Sequence, residues 1–467
     1  MQHNLLKLIQ LAEAFYNLAS ELQEIGQLER AADNYRRSLE IYPNHAEAHS
    51  SLGNVLRDLG QIDTAVTHYR WALEIKPDSA QVYFNLGYIR LDQGDLAAAE
   101  KYFNLALEKE PDLMQAHQGL ACIFQRCGND ELSHYHRDAG FGKQPLSTVP
   151  YQGRGTPVQL LVLGSAMEGN LPWRFLIDRN EFQTTIMAVE YFDERLPLPL
   201  HQLILNAIGD ADICQQGLEI ATRLIERSQA RVANHPQALL QTGRLMNAQR
   251  LGAISGVITP RMVLMSKKEL DPGKTIEIIA NAGLAFPFLL RPPGFHRGNY
   301  FVCVDSYDAL ILAMEKLPGE QVLAIEYLDS RSQDGLFRKY RVMSIDGFLY
   351  PIHLAVSTQW MVHYFSSDMD KNEQYREEEQ AFLNDFAAFL GAGVMTALEK
   401  INKMLGLDYC GIDFGIDKQG NVLLFEANST MLINQLSDEK QWDYRRAAIN
   451  NALAAAKSML TGRVTLT

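Results

Sequence analysis

Three oxygen-bearing side chains near the C-terminal end of the chain have the spacing of a divalent-cation site. Residues 408–428 (DYCGIDFGIDKQGNVLLFEAN) alternate in polarity around the turn sequence DKQG, which predicts a β-hairpin. The predicted register brings Asp413 on the first strand near Glu426 and Asn428, which share one face of the second strand. Carboxylate and amide oxygens suit Mg²⁺, which also keeps water and substrate phosphates as ligands. The hairpin therefore predicts a Mg²⁺-polyphosphate site; the alternative is a surface hairpin whose acidic residues face solvent.

Three segments upstream of this hairpin predict further strands, and two of them carry basic residues that could bind phosphate. Residues 286–291 (FPFLLR) predict a strand that enters the Gly-containing loop 292–299 (PPGFHRGN). Residues 322–328 (VLAIEYL) predict a further strand, and residues 338–341 (RKYR) lead into a predicted hairpin with the sequence VMSIDG. Because preorganised cations stabilise charge on a phosphoryl group, the Arg and Lys side chains are candidates for that task.

In their order along the chain, these four segments resemble the ATP-grasp superfamily. The resemblance covers residues 158–435 and is closest to the amide-forming branch that includes glutathione synthetase-like and ribosomal-protein glutamate ligases. It implies ATP and Mg²⁺ as cofactors, with two metal ions that Mn²⁺ can replace. The implied metal ligands are Asp413, Glu426 and Asn428, and the implied nucleotide contacts are Arg244, Arg291, His296, Gly298, Glu326, Tyr327, Leu328 and Asp334. Because metal ligands serve the ion and not the core, we expect Asp413→Ala or Glu426→Ala to leave the fold intact.

One departure from the family pattern concerns the strand at residues 286–291. The family usually places Lys on this phosphate-binding strand, and here the position is Arg291. Arg keeps the positive charge and can bind phosphate through two nitrogens, so nucleotide binding is expected to persist, although Arg and Lys are not interchangeable. The sequence Thr242-Gly243-Arg244 similarly resembles the place of an earlier family Lys.

The resemblance implies a carboxylate–amine ligase. A substrate carboxylate attacks the γ-phosphate of ATP, and an amine then attacks the acyl phosphate, which forms an amide or peptide bond and releases phosphate. The substrates would be small molecules or peptides. The residues implied to serve catalysis are Arg341, Arg297, Lys339 and His353.

The acceptor side of this predicted site contains His353, Trp360 and His363, which follow the strand of Arg341. A histidine there could accept the proton of the amine, whereas the alternative is a histidine that only makes structural hydrogen bonds. Two other functions are compatible with the sequence: a non-catalytic ATP-binding or peptide-binding regulator, which Arg291 in place of Lys favours, and an ATP-grasp kinase.

A repeat occupies the first third of the chain. Four prolines recur every 34 residues, at Pro43, Pro77, Pro111 and Pro145. The positions that keep the same phase are Leu18-Ala19, Leu52-Gly53, Leu86-Gly87 and Leu120-Ala121; Ala31, Ala65 and Ala99; Tyr35, Tyr69 and Phe103; and Ser38, Ala72 and Ala106. Gly26, Gly60 and Gly94 fall between the predicted helices, where a residue that tolerates positive φ ends the first one. This is the period of the helix-turn-helix tetratricopeptide (TPR) repeat, and it predicts an all-α superhelix over residues 1–140.

The last repeat departs from the pattern, because Arg137 and Gly140 stand where earlier repeats have an aromatic and a small residue. We interpret residues 114–140 as a degenerate capping repeat. The concave face of such an array commonly holds a protein or peptide segment. The alternative is an array that packs against the rest of the chain or mediates self-association, since a repeat fold does not name its ligand.

An α/β region is predicted after a linker at residues 141–157, which is rich in Gly, Pro, Ser and Thr. The apolar run at residues 158–163 (VQLLVL) suits a buried parallel strand, and residues 203–206 and 231–234 repeat the theme with helical stretches between them. Strands that alternate with helices predict a doubly wound sheet with ligands beyond its carboxyl edge. Asn206, Asp210 and Asn234 follow such strands, where they could bind substrate or serve as turn and helix-cap residues.

The predicted fold class is therefore multidomain. TPR repeats (1–140) and the linker precede an α/β pre-ATP-grasp subdomain (158–255) and an α+β ATP-grasp region (256–467). A net charge of −13 without a basic run argues against nucleic acid as a partner. The chain lacks an apolar run of membrane-spanning length, so we expect no membrane partner and a cytoplasmic protein. Five scattered cysteines predict reduced thiols, although Cys122 and Cys127 leave a zinc site as an alternative.

Overall fold

The computed structural model describes residues 2–24, 26–269, 272–293, 300–362, 364, 367–433, 436 and 439–464. The chain divides into two compact units, residues 1–125 with 129–143, and residues 126–128 with 144–467. The first unit is all-helical, and the second is a mixed α/β unit with three sheets among its described residues. The predicted order of an all-α array followed by an α/β region is confirmed at this level.

Four helix pairs follow one another in the first unit. Their bounds are α1 Gln2–Glu24, α2 Leu28–Ile41, α3 Ala46–Asp58, α4 Ile62–Ile75, α5 Ala80–Asp92, α6 Leu96–Lys109, α7 Met114–Arg126 and α8 Asp130–Arg137, and a π-helical turn spans Asp138–Gly142. Gly26, Gly60 and Gly94 end the first helix of their pairs with φ of 76°, 77° and 80°. These left-handed conformations explain why glycine recurs there.

The small residues of the repeat lie where two helices approach each other closely. A Cβ atom at Gly53 would lie 2.7 Å from the Tyr69 ring, and one at Gly87 would lie 2.7 Å from the Phe103 ring. Both rings are fully buried. The repeat positions recognised in the sequence thus place a glycine on the first helix of a pair against a large aromatic ring on the second.

The first part of the α/β unit is built around a five-stranded sheet. Its elements are β1 Leu146–Val149, β2 Val158–Gly164, β3 Phe182–Ala188, β4 Leu203–Asn206, α9 Gln215–Ile225, β5 Arg231–Ala233, α10 Pro236–Leu239 and α11 Arg244–Leu251. The strand order is β1-β3-β2-β4-β5, with β3, β2, β4 and β5 parallel and β1 antiparallel at the edge. The three predicted strands are present, and the stretch predicted as a linker contributes β1.

A four-stranded antiparallel sheet follows. The elements of this part are β6 Val257–Ile258, β7 Met262–Ser266, α12 Pro272–Asn281, β8 Phe288–Arg291, β9 Val302–Val304, α13 Tyr307–Lys316 and β10 Gln321–Glu326. Strands β7, β10, β8 and β9 form the sheet in that order. Buried residues of these strands and of α12 and α13 form a separate hydrophobic cluster.

The third sheet holds the predicted metal hairpin. Its part of the chain contains β11 Phe337–Ile345, β12 Phe348–Ser357, α14 Glu373–Asn384, α15 Phe386–Leu405, β13 Tyr409–Ile416, β14 Val422–Asn428 and α16 Arg446–Val464. The order is β12-β11-β13-β14-β6, antiparallel except for β6, which runs parallel to β14. Short 3₁₀ helices span Trp173–Leu176, Val189–Tyr191, Lys267–Glu269 and Lys440–Arg445.

No single helix in the described ranges has the length and apolar character needed to cross a membrane. The bent pair of α14 and α15 reaches that threshold only when both helices are taken together.

Candidate functional site

A row of four polar side chains crosses the third sheet. His353 on β12 is paired with Arg341 on β11, Arg341 with Asp413 on β13, and Asp413 with Glu426 on β14. Directly paired residues of antiparallel strands point to the same side, so these four share one face. Asn428 lies two residues beyond Glu426 and extends the row on the same face. The predicted hairpin and its register are therefore confirmed, while the roles of these residues stay predictions.

Asp413 is the most tightly held member of this row. Its carboxylate accepts hydrogen bonds from Arg341 Nε at 2.6 Å and Nη2 at 2.8 Å, and Lys339 Nζ lies 3.2 Å away. Only 4% of Asp413 is exposed. Burial alone would raise the pKa of Asp413, but the charges of Arg341 and Lys339 outweigh it and lower the pKa far below its usual range. The carboxylate is therefore ionised at neutral pH.

Arg244 connects the far end of the row to the first sheet of the same unit. It is the first residue of α11, and its guanidinium contacts Glu426 Oε1 at 3.3 Å and Asp212 Oδ2 at 3.1 Å. The backbone N–H of Arg244 also donates to Asp212. Asn247, one turn later, donates to the backbone carbonyl of Ala427 at 3.1 Å. These contacts fix α11 against β14.

These residues border a cleft. Its lining residues are Gly209, Asp210, Ala211, Asp212, Thr242, Arg244, Asn247, Ala248, Thr259, Pro260, Met262, Leu424, Phe425, Glu426, Ala427 and Asn428. The sequence analysis identified Asp210 as a candidate but missed Asp212. The Asp-x-Asp spacing after β4 is the signal that could have found it.

Arg291, the last residue of β8, lies close to this cleft. It is paired with Leu323 and so points to the same face of the second sheet as Leu289 and Ile325. Burial, together with the neighbouring charge of Arg244, lowers the pKa of Arg291 to about 10. The negative charge of Glu426 acts to raise the pKa of Arg291. Arg291 therefore lies in the same electrostatic environment as Arg244 and Glu426.

Glu326, the first of three consecutive residues predicted to contact the nucleotide, is the last residue of β10. Glu326 is held by Arg261, whose Nε donates to Oε2 at 3.0 Å, and this hydrogen bond lowers the pKa of Glu326. Tyr327 and Leu328 follow, both half-buried. The ring of Tyr327 lies 6.3 Å from that of Trp360, between centroids. Trp360, which was predicted on the acceptor side, therefore packs beside Tyr327, a predicted nucleotide contact.

Asp334 lies in the loop before β11 and does not belong to the row. Its two oxygens accept hydrogen bonds from Arg338 at 3.0 and 2.8 Å, and the same guanidinium binds Glu378. The hydrogen bond with Arg338 lowers the pKa of Asp334 to about 2. In this structure Asp334 thus forms part of an ion-pair network between β11 and α14.

His353 is buried at the other end of the row. Its ring centroid is 4.9 Å from that of Tyr364, and no group among the described residues hydrogen-bonds its Nε2. Burial and the charge of Arg341 lower the pKa of His353 well below 6.5, so the ring is neutral at neutral pH. Of the other predicted residues, His296, Arg297, Gly298 and His363 lie outside the described residues.

A buried carboxylate that sequence reasoning missed lies behind His353. Glu379 on α14 is fully buried, accepts hydrogen bonds from Tyr364 and Tyr444, and lies 3.3 Å from Arg445 Nε. The charged segment EQYREEEQ predicts a solvent-exposed helix face. Only the packing of α14 shows that Glu379 is buried.

The turn residues of the first sheet serve structure. Asn206 donates to the Asn234 carbonyl at 2.9 Å, and Asn234, with φ of 55°, exchanges hydrogen bonds with the backbone of Tyr409. Both are fully buried. The turn interpretation therefore describes Asn206 and Asn234, and Asp210 alone of the three lines the cleft.

Among the described residues, no cluster of three or more His, Cys, Asp or Glu side chains could hold a metal ion. The predicted metal ligands Asp413, Glu426 and Asn428 include only two residues of these four types, because Asn428 is an amide. All five cysteines are free, as predicted for reduced thiols.

Comparisons with known proteins concern the helical repeats. TPR family models match residues 12–45, 34–67, 53–94 and 80–113. Similar solved structures include MamA (17% identity, 28% of this chain and 78% of that chain, TM-score 0.27), the first TPR of Spaghetti (RPAP3) bound to an HSP90 peptide (21%, 25% and 92%, 0.24), and pilF of Pseudomonas aeruginosa (21%, 29% and 62%, 0.27). No curated protein matches the chain. Residues 12–113 are thus TPR repeats, which supports a module for protein interaction at the head of a mixed α/β chain.

Proposed function

We propose that the chain is an ATP- and Mg²⁺-dependent carboxylate–amine ligase that forms an amide or peptide bond through an acyl phosphate. The observation that carries the proposal is the row of His353, Arg341, Asp413 and Glu426 across four adjacent strands. These residues are far apart in the sequence, and each was predicted to bind the metal or to serve catalysis. Their position on one face of the sheet, beside a cleft, supports the ATP-grasp resemblance.

The donor atoms of the row fit a hard divalent cation. Mg²⁺ would be held by Asp413, Glu426 and Asn428, and when bound it would neutralise part of the charge on the phosphates of ATP. In the structure Asp413 is paired with Arg341, and Asn428 Oδ1 accepts from the backbone N–H of Thr430 at 3.0 Å. Metal binding would therefore exchange some protein hydrogen bonds for metal–oxygen bonds.

The basic residues around the row suit phosphoryl transfer. Arg244 and Arg291 lie near Glu426 and would bind the polyphosphate, while Arg341 and Lys339 would bind the charge that develops on the transferred group. These cations are largely withdrawn from water, which strengthens their interaction with phosphate. Nε2 of the neutral His353 makes no hydrogen bond with the described residues, and His353 would take the proton that the amine loses on forming the amide.

The TPR array would bring a protein or peptide to this reaction. We propose that its concave face binds a partner, which is either a substrate that carries the carboxylate or amine or a protein that recruits the enzyme. Incubation of the partner with the full chain, ATP and Mg²⁺ distinguishes these two roles, because a substrate partner is consumed and a recruiting partner is not.

A second candidate is a non-catalytic, ATP-binding TPR regulator. The bidentate pairing of Asp413 with Arg341, together with the contact from Lys339, favours it, because a carboxylate neutralised by two cations is a weaker metal ligand.

ADP release separates the two candidates. The full chain is incubated with ATP, Mg²⁺ and pooled amino acids and peptides, and a ligase releases ADP only when a carboxylate and an amine are both present. Arg341→Lys should slow that release at least tenfold through loss of the bidentate contact, whereas Lys371→Ala, at an exposed site on the same unit, should not. ATP binding without ADP release under any pool would support the regulator.

A further inference from the structure

Two pairs of histidines occupy equivalent positions in the second and fourth helical repeats; His49, His117 and His136 are buried, and His68 is half-buried. Nδ1 of His49 on α3 lies 3.0 Å from Nδ1 of His68 on α4, and Nδ1 of His117 on α7 lies 2.8 Å from Nδ1 of His136 on α8. The two pairs are separated by twice the repeat length. Their ring centroids are 5.2 and 5.1 Å apart. The pair is therefore a repeated feature of the array.

The other ring nitrogen of the first histidine fixes where the protons sit. His49 Nε2 lies 3.0 Å from the carbonyl oxygen of Pro43, and His117 Nε2 lies 3.0 Å from that of Pro111. A carbonyl only accepts, so these Nε2 atoms carry the proton. In the neutral ring Nδ1 is then an acceptor, and the second histidine must donate its Nδ1–H. Each pair thus joins both helices of its repeat to the preceding loop.

This arrangement tolerates protonation of one ring and not of the other. A proton added at Nε2 of His68 or His136 leaves the Nδ1–H donor in place. A proton added at Nδ1 of His49 or His117 sets two N–H donors against each other and breaks the hydrogen bond. A doubly protonated pair would also place two cations side by side in a desolvated position.

The groups that face each pair oppose added positive charge. For the first pair these are Arg36 from α2 and His45 at the start of α3, of which His45 lies near Glu47. The ring of Trp71 on α4 covers both histidines. Burial, with the neighbouring His49, lowers the pKa of His68 to about 4, and burial also lowers the pKa of His49.

The second pair has a more apolar enclosure. Phe124 stacks on His136 at 5.5 Å between centroids, and Tyr135 makes an edge contact with both rings. The ionisable side chain that acts electrostatically on His136 is that of its partner, His117. Burial and that partner lower the pKa of His136 to about 4.

We propose that the two histidine pairs form an acid-sensitive latch within the TPR array. In its neutral form each pair joins the two helices of its repeat by a hydrogen bond. The folded pKa values of about 4 lie below the unfolded value of about 6.5, so this stabilisation is complete above pH 6.5 and is lost as the pH falls toward 4. A partner that needs the folded array would bind more weakly in acid.

The first and third repeats provide a control within the same molecule. At the positions equivalent to the pair they carry Phe15 with Asn34, and Tyr83 with Tyr102. The array therefore forms without histidine there, and the third repeat offers a natural replacement for the pair. The matched variant is His49→Tyr with His68→Tyr, which gives the second repeat the residues of the third.

Hydrogen exchange of backbone amides in the full chain tests the latch. After correction for intrinsic exchange, protection of α3, α4, α7 and α8 should fall from pH 7.5 to 5.5 by about tenfold for each histidine that stays neutral, and α5 and α6 should change less. The Tyr variant should abolish the fall in α3 and α4 and keep it in α7 and α8. An equal fall in all repeats, no fall, or an unchanged fall in the variant would overturn the proposal.

Exchange of the imidazole C2 proton in the unaltered chain makes the test independent of how the variant folds. It reports the titration of each histidine by mass spectrometry. His68 and His136 should remain neutral at pH 5.5. Titration of both near 6.5 would overturn the latch even if amide protection fell with pH.

Discussion

The pairing of Asp413 with Arg341 and Lys339 determines how single residues of the site respond to substitution. From sequence, Asp413 was expected to be a metal ligand whose loss leaves the fold intact. The structure buries Asp413 and surrounds it with cations. Removing one partner of a buried ion pair leaves an uncompensated charge, so its substitution has a cost to folding as well as to binding.

We expect Asp413→Ala to lower the free energy of unfolding by about 3–5 kcal/mol, because Arg341 would remain buried without its carboxylate. Glu426→Ala is the matched change, since the Glu426 side chain is 28% exposed and lies 3.3 Å from Arg244; it should cost about 1 kcal/mol. Urea denaturation of both variants at pH 7 measures the difference. Equal stability of Asp413→Ala and the unaltered chain would show that the pair adds nothing to folding.

Arg291 tests the nucleotide side of the site. If it binds phosphate, Arg291→Ala should weaken binding of a non-hydrolysable ATP analogue by about 10- to 100-fold, the worth of a charge-assisted hydrogen bond. Arg291→Lys should be milder, because it keeps the charge but loses the planar guanidinium. Isothermal titration calorimetry gives both affinities. Unaltered affinity in Arg291→Ala would reassign this residue to a structural role.

Sequence reasoning found the residues of the row but not their partners. Residue type and a spacing of two were enough to place Asp413, Glu426 and Asn428 on one face, because strand geometry is local. The contacts of Asp413 with Lys339, of Glu426 with Arg244 and of Asp212 with Arg244 join distant segments. Such contacts depend on how the sheets pack, and a single sequence carries no direct signal for them.

At the scale of elements, the β13–β14 hairpin positions the oxygen donors through a close approach of its own. Gly411 is paired with Asn428, and a Cβ atom there would lie within 2.6 Å of Met431 Cβ. The segment after β14 can therefore turn back over β13 only because Gly411 has no side chain. This links the identity of one glycine to the position of Asn428.

Gly411→Ala should destabilise the chain by about 1–3 kcal/mol through overpacking and weaken Mg²⁺-dependent nucleotide binding, because Met431 and the end of β14 must move. Gly393→Ala in α15 is the control: open space surrounds its Cβ position, and it should raise stability by about 0.5–1 kcal/mol. Thermal denaturation and calorimetric titration of both variants provide the measurements. Normal nucleotide binding by Gly411→Ala would remove Asn428 from the metal site.

Elements with a strong local pattern could be predicted, and an element set by its neighbour could not. The helical repeats and the 408–428 hairpin have period and turn signals of their own. Strand β1 has only four residues in a stretch with linker composition, and it is a strand because β3 offers a free edge for antiparallel pairing. A linker was predicted at residues 141–157 because their sequence does not reveal that β3 has an edge available for pairing.

At the scale of the whole molecule, the hydrophobic clusters suggest that the units fold separately. The repeat unit has two clusters of its own, and those of the α/β unit are formed by residues from 146 onward. A truncated protein of residues 144–467 should therefore remain folded and bind the ATP analogue within about threefold of the full chain. A version that begins at residue 150 lacks β1 and should be less stable. Insolubility of the longer version would show that the repeats are needed for folding.

The most direct test of the ligase proposal follows oxygen atoms through the reaction. Full-length protein is given ATP, Mg²⁺ and pooled amines with carboxylates labelled with ¹⁸O, and products are analysed by mass spectrometry. We predict a condensation product that has lost one water and a released phosphate that carries one labelled oxygen, because the carboxylate oxygen stays on phosphorus when the amine attacks. A phosphorylated product without condensation would indicate a kinase, and a condensation product with unlabelled phosphate would contradict the acyl-phosphate route.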